Sequence, residues 1–142
     1  MKVKDLMSTN ISVVDISTPV SEVAKTMKTE NIGSVPVCKN GKVVGIVTDR
    51  DIVIREIAEG KNIVASKAED VMTKDVSTVS SSSDIHEAAQ LMSDRQIRRL
   101  PVVDNGNLVG MLAIGDIAVR NKLVDNAGEA LGQISESTHT LY

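Results

Sequence analysis

The chain has 142 residues, 16 Lys+Arg against 19 Asp+Glu and a formal net charge of −3, which suits one compact domain or two small ones sharing a core. No apolar run reaches the ~18 residues of a membrane span, and Met1-Lys2-Val3-Lys4-Asp5-Leu6 develops no secretory apolar segment, so a cytoplasmic protein is expected. With no Trp, no Phe and one Tyr, the chain lacks the rings on which single strands stack, and its acidic balance argues against duplex binding, which only Arg95, Arg98 and Arg99 would favour.

The sequence is one unit written twice. At an offset of 72 − 7 = 65 residues, Asp5-Leu6-Met7-Ser8 aligns without gaps on Asp70-Val71-Met72-Thr73, and the match runs through Pro36-Val37 and Pro101-Val102 to Asp51-Ile52 and Asp116-Ile117. A copy of fifty to sixty residues is marginal by itself, so the two copies are expected to share a buried face. Each copy reads strand, helix, strand, hairpin turn, strand, helix. For the first helix, Thr18 is the expected N-cap with Pro19 at the first helical position, and Ser83-Asp84 supplies a cap and an acidic first turn in the second copy. Val20, Val23, Ala24 and Met27 form one apolar stripe, repeated as Ile85, Ala88, Ala89 and Met92. Val35-Pro36-Val37-Cys38 and Leu100-Pro101-Val102-Val103 read as strands, turned by Asn40-Gly41 and Asn105-Gly106 into Val43–Val47 and Leu108–Leu112. A second helix begins near Asp49 and near Gly115. Residues 60–68 read as the linker, which sets the first repeat with its linker at 1–66, the second at 67–125, and a tail at 126–142. In that tail Ala127, Ala130, Leu131 and Ile134 fall at helical spacing, as in a short amphipathic helix packing on the module or on a partner.

No catalytic constellation is visible. Cys38 lies in an apolar strand, where a small buried hydrophobe is the simpler reading than a nucleophile, and it cannot form an intrachain disulfide or supply a zinc site alone. His86 and His139 have no motif around them, and no Gly-rich phosphate loop is present. The informative segment is Gly45-Ile46-Val47-Thr48-Asp49-Arg50-Asp51. Thr48-x-x-Asp51 is a capping box, and it is equally a carboxylate at a helix start, suited to ribose hydroxyls. The second copy keeps Asp116 but has Ala113 in place of the hydroxyl. A capping pair alone does not explain an aspartate without its partner, which favours the ribose reading.

These features resemble the CBS domain, the module of about sixty residues named after cystathionine β-synthase, and residues 3 to 125 are similar to a free-standing tandem pair. The resemblance implies an α/β (α+β) fold of two β-α-β-β-α repeats, packed through their sheets about a pseudo-twofold axis with adenosine ligands in two clefts. It implies Thr48 and Asp51 at the ribose of the first cleft, Met7 and Ser12 at the base, and Arg98 and Arg99 at the phosphates. For the second and weaker cleft it implies Asp116, Met72 and Ser77, with Gly33 and Ser34 where the arginines would be. The expected function is a non-catalytic regulatory module, sensing cellular energy through AMP, ADP or ATP, with no catalytic cofactor and no metal. A homodimer and an unidentified regulated protein are its expected partners. Alternatives are an interaction or assembly module with empty clefts, a sensor of S-adenosylmethionine or NAD, and, with the least support, an enzyme acting on a nucleotide.

Overall fold

The computed structural model describes residues 1–119 and 124–135. They form two compact units that do not coincide with the two repeats: Ser12–Val76 form the first unit, and Met1–Ile11 join the chain from Ser77 onward in the second.

In the first unit, β1 (Val14–Asp15) runs parallel to β2 (Ser34–Lys39), which pairs antiparallel with β3 (Lys42–Thr48). The hairpin turn is Asn40-Gly41, with φ of 54° and 79°; positive φ at both positions is the type I′ turn that suits the twist of paired strands. Helix α1 (Val20–Glu30) joins β1 to β2 and buries Val20, Val23 and Met27, the stripe expected from their spacing. It stops at Asn31, whose φ of 54° turns its N–H back to the Met27 carbonyl. Helix α2 (Asp49–Ile52) continues as a π-helical turn over Val53–Ile57, and α3 (Ala68–Val71) follows. The core is aliphatic: Val14, Val35, Val37, Val47, Ile52, Ala68 and Val71 pack with the α1 stripe.

The second unit repeats the plan with α4 (Ile85–Arg95), β4 (Arg99–Asp104), β5 (Asn107–Ala113) and α5 (Ile114–Ala118). Its Asn105-Gly106 turn has φ of 52° and 82°. The counterpart of β1 shrinks to one parallel bridge, Val79 to Val102, which is the pair Val14–Val37 shifted by 65 residues. Helix α6 (Val124–Ser135) packs on α4 and α5, burying Ala130 and Ile134. The Ser93 hydroxyl bonds Gln133 Oε1 and so ties α6 to α4.

The repeats exchange their leading segments. Ser8 and Thr73 are equivalent positions, yet Ser8 bridges Met111 of β5 while Thr73 bridges Ile46 of β3. Both amides of each bridge are used, at 2.8 and 2.9 Å for Ser8 and 2.8 and 3.0 Å for Thr73. The compact units thus change hands near residues 11 and 76.

Several local expectations differ from the structure. Thr18 does not cap α1: Pro19 occupies the N-cap position, and the Thr18 hydroxyl instead accepts the Asp15 N–H at 3.0 Å. In the second unit Asp84, not Ser83, is the cap, and its carboxylate accepts the His86 N–H at 2.8 Å. The tail helix begins at Val124 rather than after residue 126, and Leu131 is 49% exposed, so the buried side of α6 carries Ala130 and Ile134 without it. His139 lies outside the described residues.

Candidate functional site

Strand β3 delivers Thr48 to the start of α2, where its backbone is still extended at φ −107° and ψ 161°. That geometry closes a reciprocal pair: the Asp51 N–H donates to Thr48 Oγ1 at 3.0 Å, and the Thr48 N–H donates to Asp51 Oδ2 at 2.9 Å. Both residues are 6% exposed. The capping box is therefore real. It engages only Oδ2; Oδ1 has no hydrogen bond among the described residues and faces the Arg55 Nε at 3.8 Å.

The matching Asp116 is half-buried, and its Oδ2 accepts the Ala113 N–H at 2.8 Å. This corrects the argument that an aspartate without its hydroxyl partner has no capping role. The carboxylate half of the box needs only the backbone amide three residues back, and Asp70 and Asp5 make the same bond to Lys67 and Lys2 at 2.8 Å each. Persistence of Asp116 is thus no separate argument for ribose.

The expected site residues divide between the units. Ser12, Gly33, Ser34, Thr48, Asp51 and Met72 are in the first unit, and Met7, Ser77, Arg98, Arg99 and Asp116 are in the second. Of the two equivalent methionines, Met72 shares the unit of Asp51 and Met7 shares that of Asp116. Met72 lies against Gly45 of β3, so closely that a Cβ there would come within 2.4 Å of its sulfur, and Met7 lies against Gly110 of β5 at 2.8 Å. These glycines are required because the exchanged segments cross the strands there. Ser34 pairs in register with Thr48, and Arg99 with Ala113. Gly33 accepts the Asp49 N–H through its carbonyl, and Arg98 accepts that of Ile114 through its own, both at 2.9 Å. The Arg98 side chain is exposed and that of Arg99 half-buried.

Arg55 was missed by the motif reading. Its signal is a spacing of four from Asp51, which the second copy repeats as Asp116 and Arg120. Among the described residues no group of three or more His, Cys, Asp or Glu is arranged to hold a metal ion. Burial pushes the Cys38 thiol up, helped by the charge of Asp15, which suits a packed side chain rather than a thiolate nucleophile. Among the described residues no helix is long and apolar enough to cross a membrane.

Comparison with known proteins agrees with the internal repeat. The CBS domain family model matches twice, over residues 3–56 and 68–120. The chain belongs to the CBS-domain family. The CBS domain-containing protein YhcV of Bacillus subtilis is 41% identical over 133 residues, 94% of each chain. Among solved structures, the CBS domain protein TA0289 of Thermoplasma acidophilum superposes with a TM-score of 0.82 at 26% identity, covering 99% of this chain and 79% of that one. CBSX2, solved in complex with AMP, gives a TM-score of 0.74 at 26% identity over 87% of this chain and 98% of its own. The fold is the mixed α/β fold of a tandem CBS pair, and the CBS pair is a regulatory, non-catalytic module.

Proposed function

We propose that this CBS pair senses an adenine nucleotide, AMP, ADP or ATP, with Asp51 as the ribose acceptor. The observation that carries the reading is the divided use of that carboxylate: Oδ2 is held by the Thr48 N–H while Oδ1 has no hydrogen bond among the described residues. A preoriented carboxylate acceptor is suited to a pair of vicinal hydroxyls. The AMP bound to CBSX2 supports the ligand class. Ser12 and Met72 share the unit of Asp51 and are the proposed base contacts; with no Phe, Trp or Tyr among the described residues, adenine would rest on thioether and aliphatic surface. Arg98 and Arg99 are carried over from the family resemblance as the phosphate contacts. A ligand that prefers one arrangement of the pair shifts its population, which is all that regulation requires.

A homodimer is part of the proposal. Val53, Ile54 and Ile57, 50%, 48% and 61% exposed, are apolar side chains that an isologous contact could cover. Light scattering should give a dimer at tens of micromolar; a monomer there removes this element.

Thermal shift of the full chain against AMP, ADP, ATP, GTP, S-adenosylmethionine and NAD tests the ligand. Ligand at a hundred times its Kd adds about 2.7 kcal/mol, so an adenine nucleotide should raise the melting temperature by several degrees. No shift at millimolar adenine nucleotide, or a larger shift with GTP, S-adenosylmethionine or NAD, refutes the proposal. The first of these results leaves the interaction-module reading in its place.

A further inference from the structure

Arg55 lies on the π-helical turn Val53–Ile57, one turn after Asp51. Its guanidinium does two things at once. Nε faces the Asp51 Oδ1 at 3.8 Å, and Nη1 donates to the carbonyls of Val71 at 3.1 Å and Met72 at 3.2 Å. Those carbonyls terminate α3, where helix geometry leaves acceptors without intrahelical donors. Met72 in turn fills the space over Gly45, three residues before Thr48 on β3. One side chain therefore joins α2, the end of α3 and, through Met72, strand β3.

We infer that Arg55 is a positioning residue for the adenosine ligand, holding the Asp51 carboxylate and the Met72 segment in a single arrangement. The inference rests on the proposed ribose role of Asp51 and goes beyond it, because it makes the ribose and base contacts of the first unit interdependent. The planar fork is what makes this possible. An ammonium is a point charge on a flexible stem and cannot reproduce the fixed spacing between Nε and Nη1. Arg55 acts through Asp51 and Met72 and has no assigned contact with phosphate, so its removal should weaken adenosine and AMP alike. That distinguishes it from Arg98 and Arg99.

The test is calorimetry of AMP and adenosine with the wild-type chain, Arg55→Leu and Arg55→Lys, together with methionine methyl NMR of the ligand-free proteins. A lost hydrogen-bonded charge beside a ligand acceptor corresponds to about a ten- to hundredfold loss of affinity. Arg55→Leu should show that loss for both ligands in equal proportion, and Arg55→Lys should recover part of it by restoring charge near Asp51. The Met72 methyl signal should move in ligand-free Arg55→Leu while that of Met7 stays in place. Affinity within twofold of wild type, a loss confined to AMP, or an unmoved Met72 methyl overturns the inference. A wild-type chain that binds neither ligand overturns the adenine-nucleotide reading and this inference with it.

Discussion

Asp51 performs a capping role and a proposed ligand role through different oxygens, so asparagine and alanine at this position should separate them. In Asp51→Ala the buried Thr48 N–H loses its acceptor at 2.9 Å. Loss of a cap costs about 0.5 to 2 kcal/mol, and leaving a buried donor unsatisfied about 1 to 3 kcal/mol, so a fall of about 1 to 3 kcal/mol is expected in the ligand-free protein. For a chain of this size that corresponds to a drop in melting temperature of about 3 to 10 °C. In Asp51→Asn the amide oxygen can take the place of Oδ2 and keep the Thr48 bond, as asparagine does at helix caps. The amide nitrogen then replaces Oδ1. It offers a donor where ribose needs an acceptor, and it faces the Arg55 guanidinium with like polarity. Ligand-free melting should stay within about 2 °C of wild type, while adenosine and AMP affinity falls by about 1.5 to 3 kcal/mol, a factor of about 10 to 150. Differential scanning fluorimetry without ligand and calorimetry with adenosine measure the two effects. An asparagine variant with wild-type affinity would show that the carboxylate is only a cap; an alanine variant that melts with wild type would show that the carboxylate half of the box contributes nothing.

Gly45→Ala would bring a Cβ to 2.4 Å from the Met72 sulfur, and such overpacking costs about 1 to 3 kcal/mol; urea denaturation should show the loss, with Met72→Ala recovering part of it in the double variant. Gly110→Ala should be harder to relieve, because the Ser8 backbone carbonyl stands 2.9 Å from the new Cβ and cannot rotate away. Arg98→Ala combined with Arg99→Ala should weaken AMP and ATP strongly and leave adenosine nearly unchanged; equal losses for adenosine and ATP in calorimetry would remove the arginines from the phosphates. Glu56 is 1% exposed, and neither carboxylate oxygen finds a hydrogen-bond partner among the described residues. Glu56→Met should therefore stabilise the protein by about 1 to 3 kcal/mol and raise the urea midpoint, and a lower midpoint would show that the carboxylate is satisfied in solution. Asp104 is held below its ordinary 3.8, first by the hydrogen bond from the Ser81 hydroxyl and then by the Ser81 N–H. A carboxyl with a depressed folded value contributes stability above the ordinary range and loses it as the pH falls through the folded value. The gap between wild type and Asp104→Asn should be widest above pH 3.8 and close below it, and a gap independent of pH would contradict this.

What could be read from the linear chain was whatever depends on near neighbours. The stripes Val20, Val23, Met27 and Ile85, Ala88, Ala89, Met92 are buried as their spacing requires. Asn40-Gly41 and Asn105-Gly106 turn where two residues tolerant of positive φ must turn. Thr48-x-x-Asp51 closes its box because the partners are one helical turn apart. The repeat also carried the family, since two related copies of this pattern identify the CBS pair. Local chemistry misled where several short polar residues compete for one role, as Thr18 and Asp84 show at the two helix starts.

Tertiary structure alone decided which copy of a repeated element goes where. Ser8 and Thr73 occupy equivalent places in segments that share Asp5/Asp70 and Met7/Met72, so the linear pattern by itself does not assign either segment to β3 or β5. The choice is made by the hydrogen bonds of Ser8 to Met111 and Thr73 to Ile46, and by the fit of Met7 over Gly110 and Met72 over Gly45. That exchange puts Met72, not Met7, in the unit of Asp51. It also brings the Val71 and Met72 carbonyls within reach of Arg55, a contact between positions 16 and 17 residues apart that spacing on one helix could not disclose. An internal repeat determines the parts and their faces; because its two halves share one pattern, packing between distant segments decides which copy goes where.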